Sequence, residues 1–214
     1  MSRPIGSTKY QVNDGFFCHP NKINSYWAGF LAADGALTPE RNNVRLGIST
    51  KDENHLENFK SDIDFNGPIR YSNDLCVLEV YSKQWRESLE KNFHVTPRKT
   101  FTLTFPKGLS SMSTLAFIAG YIDGDGCIGT YKNTNGQSDK LYDMPSISVI
   151  GTRDITERIC FVVNDVCGSN ERSSRPFRRK NVYQYSFYGK RAKAFAEIMR
   201  KLNVPLLDRK WSQV

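Results

Sequence analysis

Two aspartates, Asp34 and Asp125, each end an apolar stretch rich in small residues and are each followed by glycine, in YWAGFLAADG (26–35) and FIAGYIDGDG (117–126). A single Asp-Gly after a helix is an ordinary chain reversal. Two at matching offsets, roughly ninety residues apart, read as a duplication, too widely spaced for a solenoid and right for two halves of one compact fold. Two carboxylates delivered to one partly dry place repel, and one takes up a proton unless a cation neutralises the pair. Oxygen-only ligation of that kind suits Mg²⁺, Mn²⁺ or Ca²⁺ rather than zinc. An EF-hand loop starting at Asp123 is excluded, because its fifth and twelfth positions would be Cys127 and Thr134. The histidines His19, His55 and His94 are scattered and form no metal or nuclease cluster in sequence.

The elements that must deliver these acids are two helices. Gly29 and Ala33 in the first copy, and Gly120 and Gly124 in the second, are four apart and present a flat strip on one face. Such strips let axes approach closer than the usual 8 to 10 Å or so, which offsets the cost of glycine in a helix. Asn24 or Ser25 is the expected cap of the first helix, and Ser110 to Thr114 offers caps for the second. After each motif the pattern predicts the same order. In the first half this is a hairpin ending in 44–49, a helix over 51–62, strands at 69–71 and 75–81, and a helix over 83–94. In the second it is strands at 127–132 and 146–150, a helix over 153–166, a hairpin in 172–188 and a helix over 190–202. Internal matches such as Val80-Tyr81-Ser82-Lys83 with Phe187-Tyr188-Gly189-Lys190 support the duplication. Prolines 97 and 106 are expected to hold the junction extended.

At these residues the chain resembles the LAGLIDADG homing endonucleases. The nine-letter motif falls on 27–35 and 118–126, with its eighth, metal-ligating acid at Asp34 and Asp125; the sixth position is Asp123 in the second copy but Ala32 in the first. The resemblance implies an α+β fold of two pseudo-symmetric α-β-β-α-β-β-α halves on a single monomeric chain. Their antiparallel sheets would form a DNA-binding saddle, with the motif helices paired at the interface. The implied division is a lead-in over 1–22, halves over 23–95 and 111–214, and a linker over 96–110. It implies a Mg²⁺-dependent endonuclease, with Mn²⁺ as substitute and Ca²⁺ supporting binding without efficient cleavage. The carbonyls of Ala33 and Gly124 would be extra metal ligands. Lys51, Arg153, Lys83 and Lys190 look similar to the basic residues that border the family's metal site.

A net charge of +8 favours a polyanionic partner. The densest basic run lies in 171–193, and the DNA-contact candidates are Arg172, Arg175, Arg178, Arg179, Lys180 and Gln184, with Arg41, Arg45, Arg70 and Lys132. Two sheets of such strands span on the order of 20 base pairs of double-stranded DNA in the major groove. An RNA maturase binding an intron, and a DNA-binding regulator that has lost cleavage, are the alternatives on the same fold. Five cysteines without C-x-x-C spacing point to free thiols in a reducing, cytoplasmic setting, and no apolar run predicts a membrane span or a secretory segment.

Overall fold

The computed structural model describes residues 10–134, 141–168 and 174–214. The first half is α1 (Lys22–Asp34), β1 (Gly35–Thr38), β2 (Asn43–Ser49), α2 (Glu53–Asp62), β3 (Arg70–Ser72), β4 (Leu75–Tyr81) and α3 (Lys83–Phe93). The second repeats it as α4 (Ser111–Asp125), β5 (Cys127–Thr134), β6 (Leu141–Gly151), α5 (Arg153–Cys167), β7 (Phe177–Arg179), β8 (Val182–Tyr188) and α6 (Gly189–Arg200). A further turn of helix, α7 (Asp208–Trp211), follows near the end of the chain and has no counterpart in the hydrophobic pattern. The fold is α+β, with antiparallel sheets ordered β1-β2-β4-β3 and β5-β6-β8-β7.

Glycine decides how α1 and α4 meet. A Cβ on Gly29 would stand 2.0 Å from the Phe117 carbonyl oxygen, and one on Gly120 would stand 1.9 Å from that of Tyr26. Each helix therefore lays backbone on backbone through its own glycine, a reciprocal contact that only a missing side chain permits. Both helices are apolar on all sides, as buried helices are, and nearly every residue from Asn24 to Ala32 and from Ala116 to Asp123 is shielded from solvent.

Around this pair each sheet packs its inner face: Leu37, Val44, Leu46, Leu78 and Val80 in the first half, and Ile128, Ile147, Val149, Tyr185 and Phe187 in the second. Side chains alternate in direction along β2, β4, β6 and β8, so that Arg45, Glu79, Ile150 and Gln184 lie on the opposite faces, which are partly open to solvent although Val77 and Ser186 there are covered. Phe17 of the lead-in is wholly buried, edge-on to Trp85 at 4.9 Å.

Three local expectations change. The cap of α1 is Asn21, not Asn24 or Ser25: its side chain accepts from the Ile23 and Asn24 amides, while Asn24 Oδ1 accepts from the Asn21 amide at 2.8 Å. Asn24 and Ser25 lie inside the buried face. The β5–β6 hairpin runs beyond 132 and 146 to a Thr134–Leu141 pair. The junction is not simply extended, for Arg98 takes φ 55° and Lys99–Phe101 coil into a short 3₁₀ turn that swings Lys99 back onto α1. Among the described residues no helix is long and apolar enough to cross a membrane.

Candidate active site

The closest approach of the two halves ends at the acids. A Cβ on Gly124 would lie 2.3 Å from Ala33 Cβ and 3.4 Å from Asp34 Oδ2, so the last turns of α1 and α4 abut with Asp34 and Asp125 at their tips. Helix C-termini concentrate unpaired carbonyls and negative dipole at the same point. Both acids are open to solvent at their tips, yet surrounding protein desolvates them and raises both pKa values; the Asp34 charge raises Asp125 further. Lys99 and Lys210 pull in the opposite direction on both.

Those two lysines were not among the sequence candidates, and they are the cations that the fold brings to the acids. Lys210 Nζ sits among four carbonyl oxygens at the end of α4, which share its protons: Ile122 at 3.1 Å, Asp123 at 2.6 Å, Gly124 at 3.1 Å and Gly126 at 2.7 Å. Lys99 Nζ reaches the end of α1, donating to Ala33 O at 3.4 Å and to Gly35 O. Burial lowers both lysine pKa values, and the acids oppose that shift. The available signal was an Arg-Lys doublet trailing each half, Arg98-Lys99 and Arg209-Lys210, each reached shortly after a left-handed residue and a valine, His94-Val95 and Asn203-Val204.

Each lysine rides on a strap anchored to the opposite half. Beyond Lys99, Leu103 O accepts from Thr152 Oγ1 at 2.6 Å and the Phe105 amide donates to Asp154 Oδ2 at 2.6 Å. Beside Lys210, Arg209 forms a two-pronged pair with Asp52, at 2.9 and 2.7 Å. Asp52 and Asp154 are the symmetry-matched acids at the starts of α2 and α5. The second strap has an extra anchor in Asp123: Oδ2 accepts from the Tyr26 hydroxyl at 2.7 Å and the Leu207 amide at 2.9 Å, and Oδ1 accepts from Trp211 Nε1 at 2.7 Å. Burial still lifts the Asp123 pKa to about 6.

The proposed basic residues are placed differently. Tyr81 pairs with Asn43, which pairs with Thr38, the end of β1 remote from Asp34; Lys83, just beyond, is at the wrong end of the sheet and pairs with Glu87 at 3.6 Å. Lys190 likewise follows Tyr188, level with Ser146 and Gly129 rather than with Cys127, and is exposed. An antiparallel strand leaving the site returns to it only on the next strand, which is why a strand end alone misplaced them. Lys51 and Arg153 are exposed at the starts of α2 and α5, Arg153 held by Glu157 at 2.6 Å.

On the outer faces Arg45 and Arg70 flank Glu79 at 3.8 and 3.4 Å, and Arg179 Nη1 donates to Gln184 Oε1 at 2.7 Å. Lys132 reaches Asp143 at 4.0 Å; Arg41, Arg175, Arg178 and Lys180 are exposed, and Arg172 lies outside the described residues.

The donor set fits a hard divalent cation: two carboxylates and helix-end carbonyls, all oxygen, at a place where ammonium groups already gather. Among the described residues no group of three or more His, Cys, Asp or Glu is arranged to hold a metal, so any ion here relies on the two acids with carbonyls and water.

Two pseudo-symmetric halves, joined along glycine-packed helices with an acid at each tip and an open sheet on either side, define the architecture. It is the fold of the LAGLIDADG homing endonucleases. The chain is similar to the meganuclease I-AabMI bound to uncleaved DNA, with TM-score 0.59 and 12% identity over 86% of this chain and 84% of that one. It is also similar to the I-LtrWI homing endonuclease bound to target DNA, with TM-score 0.54 and 13% identity over 88% and 84%. I-SmaMI bound to uncleaved DNA in the presence of calcium ions matches with TM-score 0.55 and 12% identity over 86% and 85%. No protein-family model matches the chain, and no curated protein matches its sequence.

Proposed function

We propose that this chain is a monomeric, site-specific DNA endonuclease that hydrolyses both strands of a duplex with divalent metal, Mg²⁺ by preference. The observation that carries the reading is the meeting of Asp34 and Asp125 at abutting helix ends, each with a lysine on the carbonyls of its own helix. The DNA-bound state of the similar structures supports the choice of duplex DNA, and intron RNA draws no support from them.

Bound cations would supply polarisation of the scissile phosphate and an activated water. Asp34 and Asp125 would hold them, with Ala33 and Gly124 carbonyls beside them. Burial holds both carboxyl pKa values up, with the Asp34 charge adding to the shift at Asp125, and a bound cation would oppose both effects by favouring the ionised acids. Lys99 and Lys210 add fixed positive charge where the pentavalent phosphorus develops negative charge, in a setting too dry to screen it. The outer sheet faces, about one helical turn of DNA each, would grip the duplex on either side, for a target on the order of 20 base pairs.

The test is cleavage of a duplex library in Mg²⁺ by the wild type and by Asp34→Asn and Asp125→Asn. Loss of double-strand cleavage in each variant, with binding retained in Ca²⁺, is expected. Undiminished cleavage by either variant would refute the proposal.

A further inference from the structure

Register allows the two sheets to be compared position by position. Ala36 and Cys127 both follow a motif glycine; the first pairs with Arg45 and the second with Ser148. One strand further on, Arg45 faces Glu79 while Ser148 faces Ser186. At the outer strand Arg70 sits opposite Val77, and its counterpart Phe177 sits opposite Gln184. All these positions are on the outer faces, since the intervening Leu46, Leu78, Val149 and Tyr185 are buried. A charged triad in one half thus corresponds to two serines and a phenylalanine in the other.

We infer that the two sheets read opposite classes of base pair at symmetry-related steps of the target: guanine through Arg45 and Arg70, and an adenine–thymine pair through Gln184, Phe177 and Ile150. The inference rests on the DNA-endonuclease reading. Glu79, mostly covered, braces both guanidiniums and leaves each with unused donors, the fork that matches guanine O6 and N7. Gln184 is braced too, but as an amide: Oε1 accepts from Arg179 at 2.7 Å and Nε2 donates to Ser186 Oγ at 3.1 Å. One N–H and one lone pair remain on it, which are the two partners that adenine N7 and N6 require. Beside it Phe177 and Ile150, 50% and 40% exposed, offer the apolar surface that a thymine methyl seeks.

The experiment is selection of a randomised duplex library by the full chain in Ca²⁺, followed by sequencing of the retained DNA. One half of the recovered site should hold a fixed G·C pair, and the mirrored step of the other half an A·T pair. Arg45→Ala should flatten only the guanine preference, and Gln184→Ala only the adenine preference, each by roughly 5- to 150-fold. Uracil in place of the mirrored thymine, which removes only the methyl, should weaken binding by the wild type and not by Phe177→Ala combined with Ile150→Ala. The same base class at both mirrored steps, or variants acting on the wrong half, would overturn the inference while leaving the nuclease reading intact. Retention of no duplex at all would remove that reading and the inference with it.

Discussion

His55 shows how one side chain is set by its neighbours. Tyr26 gives its hydroxyl proton to Asp123, so the 3.0 Å contact with His55 requires Nε2 to be the protonated nitrogen, donating to the tyrosine oxygen. Burial among Tyr26, Trp27 and Phe30 pushes the His55 pKa down to about 4, with Asp52 opposing. A folded value below the unfolded 6.5 means the unfolded chain takes the proton first, so His55 costs stability as pH falls from about 6.5 to about 4. Relative to His55→Gln, the wild type should therefore lose on the order of 3 kcal/mol across that window, read from denaturant melts of both proteins. A constant difference would contradict the assignment. The lysines give a second residue-scale prediction. Lys99→Met and Lys210→Met should cut cleavage by about 100-fold or more with binding in Ca²⁺ retained, on the scale of losing one charge-stabilising group, whereas Lys83→Met and Lys190→Met should cleave nearly as the wild type does. Single-turnover rates decide between the pairs. None of this was legible in sequence: His55 looked isolated because its partners Tyr26, Trp27 and Phe30 come from α1, and an Arg-Lys doublet in a connecting segment looks like any solvated pair.

At the scale of elements, the duplicated motif revealed a great deal. Small residues four apart foretold close helices, and alternation foretold which strand faces are dry, because both signals are local periodicities set by burial. What escaped were the Asn21 cap, because α1 starts earlier than its apolar run, and α7, whose four residues carry too short a pattern. The glycine contact is the sharpest element-level claim. Gly120→Ala places a methyl 1.9 Å from the Tyr26 carbonyl oxygen, and backbone there has nowhere to go within either helix. The substitution improves helix propensity by roughly 1 kcal/mol, so a net destabilisation of about 2 kcal/mol or more isolates the clash. A neutral or stabilising result in a urea melt would show that the helices do not touch there.

For the molecule as a whole, the second half depends on its last residues. Trp211 is buried with its indole N–H on Asp123, Arg209 pairs with Asp52 in the first half, and Lys210 holds the end of α4. Removing residues 208–214 leaves Asp123 without one partner and opens its pocket to water. That loss of about 2 to 4 kcal/mol corresponds to a fall in melting temperature of roughly 4 to 16 °C for a chain of this size. Calorimetry of the truncated chain against the wild type measures it, and an unchanged transition would mean the strap is not part of the folded unit.

The crossed straps bear on anyone who treats the halves as interchangeable parts. Because each ammonium reaches its pocket only while its tether is moored on the neighbouring lobe, a chimera that keeps either lobe but replaces its companion inherits misaligned moorings on both sides. Grafts that alter only the exposed sheet faces leave the moorings at Asp52, Thr152 and Asp154 in place, and those are the grafts this scaffold is built to accept.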